Sequence, residues 1–211
     1  METRLSIAAK FHLPEGFLSS YYSASLKPDF LDLRSEVVHE GIPKLANDPT
    51  LFAADLEEIL DWLHVDELPK PFEKELCETP VLLYVPAFST THLLFHYDGS
   101  PASAELIKNF LVLFKDLVKE SKATIISPSF IPKSKIHEEQ ELINLVSQST
   151  KETSFIKFNF SRIGDFWSYA VQHRCTLLVT SKSNHFELVK LLFHFYKGSL
   201  WSSTLSFYLA T

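Results

Sequence analysis

The stretch LLFHYDGSPASAELIKNF, residues 93–110, passes from an apolar run through a sharp break into an amphipathic run. Residues 91–97 (THLLFHY) read as a compact strand. Residues 101–120 read as a helix, with Leu106, Ile107, Phe110, Leu111, Leu113, Phe114, Leu117 and Val118 recurring at three-to-four spacing. Ser100 serves as its cap, and Pro101 suits the first helical position, where a missing N–H costs nothing. Between them stand an acidic residue and a glycine, Asp98-Gly99. That pair fits ordinary turn chemistry, and it equally fits the edge of a ligand site.

The alternation continues outward. Residues 123–127 (ATIIS) form the next strand, closed by the proline-punctuated SPSFIP. A helix follows over 137–149, then a period-two strand over 154–160 (SFIKFNF) with one wetter face. A short helix over 164–173, a strand over 176–180 (TLLVT), a helix over 187–196 and a last strand over 204–209 (TLSFYL) complete the series. Strands separated by helices predict a parallel sheet covered on both faces. The first 88 residues carry the same alternation with fewer elements. Strands are expected over 4–11 and 35–39, a helix over 51–64, one helical turn over 72–78 and a strong strand over 80–85 (PVLLYV).

Composition narrows the function classes. The chain has 211 residues, 45% hydrophobic and 22% charged, which suits a packed core rather than disorder. Net charge is −6 with no basic cluster, so nucleic acid and anionic membrane surfaces are disfavoured as partners. No apolar run approaches the roughly 20 residues of a bilayer span. The amino-terminal METRLSIAAKFHLPEG does not read as a secretion signal, because Lys10 and His12 interrupt its short apolar run. Cys77 and Cys175 have no ligand-like spacing, and two free thiols in a reducing cytosol are expected. The expected location is the cytoplasm.

Residues 89–211 resemble the universal stress protein family, on the strength of LLFHYDGSPASAELIKNF and the order of the elements that follow it. The segment ELPKPFEKELCETPVLLYVPAF resembles the end of one such domain running into the next. The resemblance implies a HUP or flavodoxin-like α/β fold: an open, mostly parallel sheet in the order 3-2-1-4-5 with helices on both faces. The last strand is parallel, or else antiparallel or at an edge. A domain over 89–211 is preceded by a shortened, degenerate copy over 1–88, in which residues 4–13 are either that copy's second strand or a rebuilt first one. The resemblance further implies that the final strands, 80–85 and 204–209, lie side by side in an intrachain pseudo-dimer or pair with a second chain.

In open parallel sheets ligands sit beyond the carboxyl ends of the strands, where strand order reverses. The resemblance places Asp98 and Gly99 there, against an adenine base or ribose, with the strand around Ile126 giving backbone contacts. Nucleotide-binding members also carry a glycine pair after the fourth strand, whose backbone N–H groups hold phosphate, and then a Gly-Ser or Gly-Thr. Here that loop is Ser181-Lys182-Ser183-Asn184-His185, without glycine, and only Gly198-Ser199 remains. Ser181, Lys182, Ser183 and Asn184 are candidate anion contacts in its place. Gly198 fits a helix C-terminal cap as well as it fits a phosphate contact.

Catalytic machinery is not visible. No hydrolase elbow, Walker loop or zinc spacing occurs among the nine histidines and two cysteines. His92 and His96 share a strand face about 13 Å apart, too far for one metal ion, and His194 is expected to pack within an aromatic helix. The expectation is a non-enzymatic stress-response protein needing no cofactor and no metal, which binds ATP or AMP weakly if at all. The alternative is a ligand-free protein-interaction module on the same fold.

Overall fold

Among residues 22–23, 51–65, 79–198 and 201–211, which the computed structural model describes, eight strands join in one sheet. In chain order the strands are β1 (Tyr22–Ser23), β2 (Phe52–Asp55), β3 (Val81–Tyr84), β4 (His92–His96), β5 (Lys122–Ser127), β6 (Glu152–Lys157), β7 (Leu177–Ser181) and β8 (Ser206–Ala210). Helix α1 (Leu56–Val65) follows β2, α2 (Pro101–Leu113) follows β4 and α3 (Ile136–Ser149) follows β5. Helix α4 (Ile163–Gln172) follows β6, and α5 (His185–Phe195) follows β7. Across the sheet the order is β1-β2-β3-β8-β7-β4-β5-β6. The five strands after residue 89 thus run 3-2-1-4-5, all parallel, as the alternation and the resemblance imply.

Side-chain alternation splits the core into two layers. Leu93 and Phe95 of β4 join Ile107 and Phe110 of α2 and Leu142 and Val146 of α3. Leu94 of the same strand faces the opposite way, towards Phe166 and Trp167 of α4, Leu188 and Leu192 of α5, and Leu60 of α1. Leu93, Leu94, Phe95 and Phe110 have no exposed surface. Burying side chains of this size is worth about 1.5–3 kcal/mol each, so β4 is the hydrophobic centre of the sheet.

The final strands lie side by side. β8 is parallel to β7 on one side and antiparallel to β3 on the other, with Leu82 opposite Tyr208 and Leu83 opposite Phe207. Two parallel β-α-β units, β2-α1-β3 and β7-α5-β8, therefore meet across one antiparallel seam. α1 and α5 pack on the same layer, where the His64 ring stacks on Phe193 with centroids 4.2 Å apart. Asp61 of α1 accepts hydrogen bonds from the Tyr196 hydroxyl at 2.9 Å and the Lys197 ammonium at 2.6 Å.

Three elements differ most from the expected bounds. The helix expected over 51–64 begins only at Leu56, because Phe52–Asp55 pairs in parallel with Val81–Tyr84. Asp55 ends that strand and accepts the backbone N–H groups of Glu57 and Glu58, capping α1. Helix α2 stops at Leu113 rather than 120, where the chain tightens into turns that bury Val118 and bring the Leu117 carbonyl to the Thr90 hydroxyl. β6 starts at Glu152 and ends at Lys157, since its partner β5 ends at Ser127. Phe158 and Phe160 then stack on each other beyond it. The elements expected over 4–11, 35–39 and 72–78, and Cys77, lie outside the described residues.

Candidate functional site

Strand order reverses between β4 and β7, so the carboxyl ends of these strands form the crevice that a ligand would enter. Asp98 stands there, exposed, two residues past the end of β4. Its Oδ1 accepts the Ser100 N–H at 2.8 Å and the Ser103 hydroxyl at 2.5 Å. Burial pushes this carboxyl up, but the hydrogen bonds from Ser100 and Ser103 outweigh it and hold Asp98 below the usual aspartate range. Ser100 in turn caps α2 through the Ser103 N–H at 3.1 Å. Gly99 has φ +83°, the left-handed region, while a Cβ there would meet only ordinary contact with Ile131 at 3.6 Å. Its backbone conformation, not space, calls for glycine. Turn chemistry thus occupies Asp98 Oδ1. Sequence reasoning passed over Ser103, although a serine three positions after a capping serine is its visible signal.

The β5 side of the crevice is also committed. The Ile126 carbonyl accepts Tyr97 N–H at 3.0 Å, and the Ser127 carbonyl accepts Phe158 N–H at 2.9 Å. The Ile126 side chain is buried in the core. The Ser127 hydroxyl donates to Glu139 at 2.6 Å, and the partly exposed Lys157 forms an ion pair with the same Glu139 oxygen.

The loop after β7 folds onto its own side chains. Ser181 Oγ accepts the Ser183 N–H at 3.2 Å and the Ser183 hydroxyl at 2.9 Å. The Asn184 amide donates to Thr180 Oγ1 at 3.1 Å, and the Lys182 carbonyl lies 2.7 Å from His185 Nδ1. Lys182 itself is 3% exposed and donates from its ammonium to the Thr79 carbonyl at the entrance of β3. The lysine expected to meet an anion reaches instead past β8 to the start of β3. Behind the loop, His96 Nδ1 lies 2.9 Å from Thr180 Oγ1, with its ring 3.9 Å from that of Phe166. Burial lowers the His96 imidazole, with a smaller opposing effect from Asp98, and keeps it neutral near pH 7.

Gly198 follows α5, and its N–H bonds the Phe195 carbonyl at 2.9 Å. The left-handed residue of this turn is Lys197, with φ 57°. A Cβ on Gly198 would lie 3.1 Å from the Phe195 oxygen, so glycine serves close approach there. Ser199 lies outside the described residues. His194 is exposed, its ring edge against Phe195, because it faces outward from α5 rather than into the core. Burial pushes the Cys175 thiol up to about 12, which makes it unreactive. Among the described residues no group of three or more His, Cys, Asp or Glu is placed to hold a metal, and no helix is long and apolar enough to cross a membrane.

No protein-family model matches the chain, and no curated protein does. Solved structures do. One, described as a universal stress protein in complex with cAMP, is 13% identical with a TM-score of 0.36, covering 44% of this chain and 73% of that one. A universal stress protein family member from Burkholderia pseudomallei is 12% identical with a TM-score of 0.36, over 48% of this chain and 89% of its own. A protein from Mycobacterium tuberculosis H37Rv is 13% identical with a TM-score of 0.34, over 43% and 69%.

Proposed function

We propose that the chain is a non-catalytic protein of the universal-stress type whose former phosphate loop has become a structural clamp, so that it acts in the cytosolic stress response through protein contacts. The single observation that supports this reading is the Lys182 ammonium bonded to the Thr79 carbonyl. A glycine-free loop with its lysine turned inward and its serines bonded to one another offers few donors to a phosphate. In this reading β2-α1-β3 is the remnant of a first copy docked on the second. Among the described residues of the crevice, His96 lies against Thr180 and Asp98 Oδ1 is taken by Ser100 and Ser103.

A second reading, weak adenine-nucleotide binding, is favoured by one observation. The hydrogen bonds to Asp98 fall on Oδ1, which leaves Oδ2 of an exposed carboxylate for a ribose hydroxyl or adenine amino group. Titration calorimetry of the full chain with ATP, AMP and cAMP separates the two. Absence of heat at millimolar nucleotide is expected. Saturable binding that Asp98→Ala abolishes would replace the first reading with the second.

A further inference from the structure

β6 stands at one end of the sheet, with β5 as its one neighbour among the described strands. The two pair residue for residue from Glu152 to Lys157, without a bulge. Just beyond, the Phe158 N–H bonds the Ser127 carbonyl at 2.9 Å, so the even-numbered residues turn their backbone groups inward. Backbone direction alternates along a strand, which sends the N–H and C=O groups of Thr153, Phe155 and Lys157 outward. Among the described residues no strand pairs with these groups.

Such an edge is a template for another strand unless something blunts it: short length, a proline, a bulge, or a charge aimed across it. β6 has none of these, and with β5 it is the longest strand described. Its charges are each taken up within the chain. Lys151 meets Glu120 at 2.9 Å, Glu152 meets Lys122 at 2.9 Å, and Lys157 meets Glu139 at 2.5 Å. The Lys157 ammonium also lies 5.1 Å from the centre of the Phe155 ring, drawn back towards α3 rather than across the edge.

This edge fits itself. In two antiparallel copies related by a twofold axis normal to the sheet, each residue meets one of its own parity, because side chains alternate between faces. With Phe155 on the axis, Phe155 meets Phe155 and Thr153 meets Lys157. Every outward backbone group then bonds an outward group of the other copy. Sliding one copy by two residues in either direction loses one of these pairings. In one direction it also sets Lys157 against Lys151, like charge on like. The other face agrees with the Phe155 register: half-buried Ile156 meets Ser154, and Phe158, 44% exposed, comes beside Glu152.

We propose that two copies of this chain join edge to edge through antiparallel β6 strands, with the twofold axis at Phe155, so that two sheets become one. The final strands are not open to this role, because β3 and β8 each have a strand on both sides within the chain. The contact uses neither Asp98 nor the β7 loop, so it goes beyond the reading of the crevice and is tested apart from it.

The test is sedimentation equilibrium of the full chain, in a concentration series reaching about 1 mM. One strand pair is a small interface, so a monomer–dimer equilibrium with a dissociation constant of roughly 1–100 µM is expected. Amide exchange by NMR, on the parent in dilute and concentrated samples, locates the contact without any substitution. The amides of Thr153, Phe155 and Lys157 should slow with concentration, while those of Ser154 and Ile156 are protected in both samples. Phe155→Lys and Phe155→Glu each place like charges on the axis and should weaken dimerisation at least tenfold, whereas an equimolar mixture of the two should dimerise again. Thr153→Pro removes an outward donor and spares the ladder to β5, so it should weaken the dimer severalfold with the monomer still folded. A parent that stays monomeric throughout overturns the assignment. So does a dimer whose formation leaves the exchange of Phe155 unchanged, or one that folded Phe155→Lys and Thr153→Pro variants form as tightly as the parent.

Discussion

The Lys182 ammonium donates a hydrogen bond to the backbone carbonyl of Thr79, 103 positions earlier in the chain. This contact joins the turn after β7 to the entrance of β3, so the loop expected to face a ligand faces the seam of the sheet instead. Lys182→Ala removes both the donor and a buried aliphatic stem. A loss of roughly 2–4 kcal/mol is expected, measured by urea denaturation. Lys182→Met restores the stem without the donor and should fall between the parent and the alanine variant. Faster amide exchange in Val81–Tyr84 should accompany the loss.

Acid should weaken the fold in two steps. Burial holds the His96 imidazole below its ordinary 6.5, and burial with neighbouring positive charge does the same for His92. The unfolded chain therefore takes up protons first as pH falls through about 6.5, and stability present above that pH is lost towards the lower folded values. Asp98 adds its own loss only further down, below its ordinary 3.8, since its carboxyl is held low in the folded state. Urea midpoints between pH 8 and 5 should fall for the parent. His96→Gln, which keeps a partner for Thr180 but does not titrate, should flatten part of that slope.

At the turn after β4, Gly99→Ala should cost about 1–2 kcal/mol, because a residue with a Cβ is strained at φ +83° even though space is open around it. Asp98→Ala should cost about 1–3 kcal/mol through the hydrogen bonds from Ser100 and Ser103. Both costs are read from thermal or denaturant melts. If Asp98 served a ligand alone, its removal would leave the melt unchanged.

The seam between β3 and β8 should be among the most stable parts of the molecule. Phe207 is 1% exposed and stands opposite Leu83. Phe207→Ala is expected to cost about 3–5 kcal/mol. Hydrogen exchange should show the amides of Phe207 and Leu209 opening only with global unfolding.

What the sequence determined by itself was everything governed by neighbours along the chain. The short continuous apolar run LLF and the three-to-four spacing after Pro101 point to a buried strand and a helix, and Ser100 and Gly99 suit a cap and a left-handed turn that local geometry defines. The order 3-2-1-4-5 followed because strand and helix alternate, and because the stretch through Asp98-Gly99 resembles one family's opening. Tertiary structure alone decided what depends on partners far away in sequence. Leu51 to Asp55 carries an apolar pattern that suits either a helix or a strand, and pairing with β3 settles it. Lys182 looked like an anion contact because sequence spacing says nothing of Thr79, which arrives from more than a hundred residues away to take its ammonium.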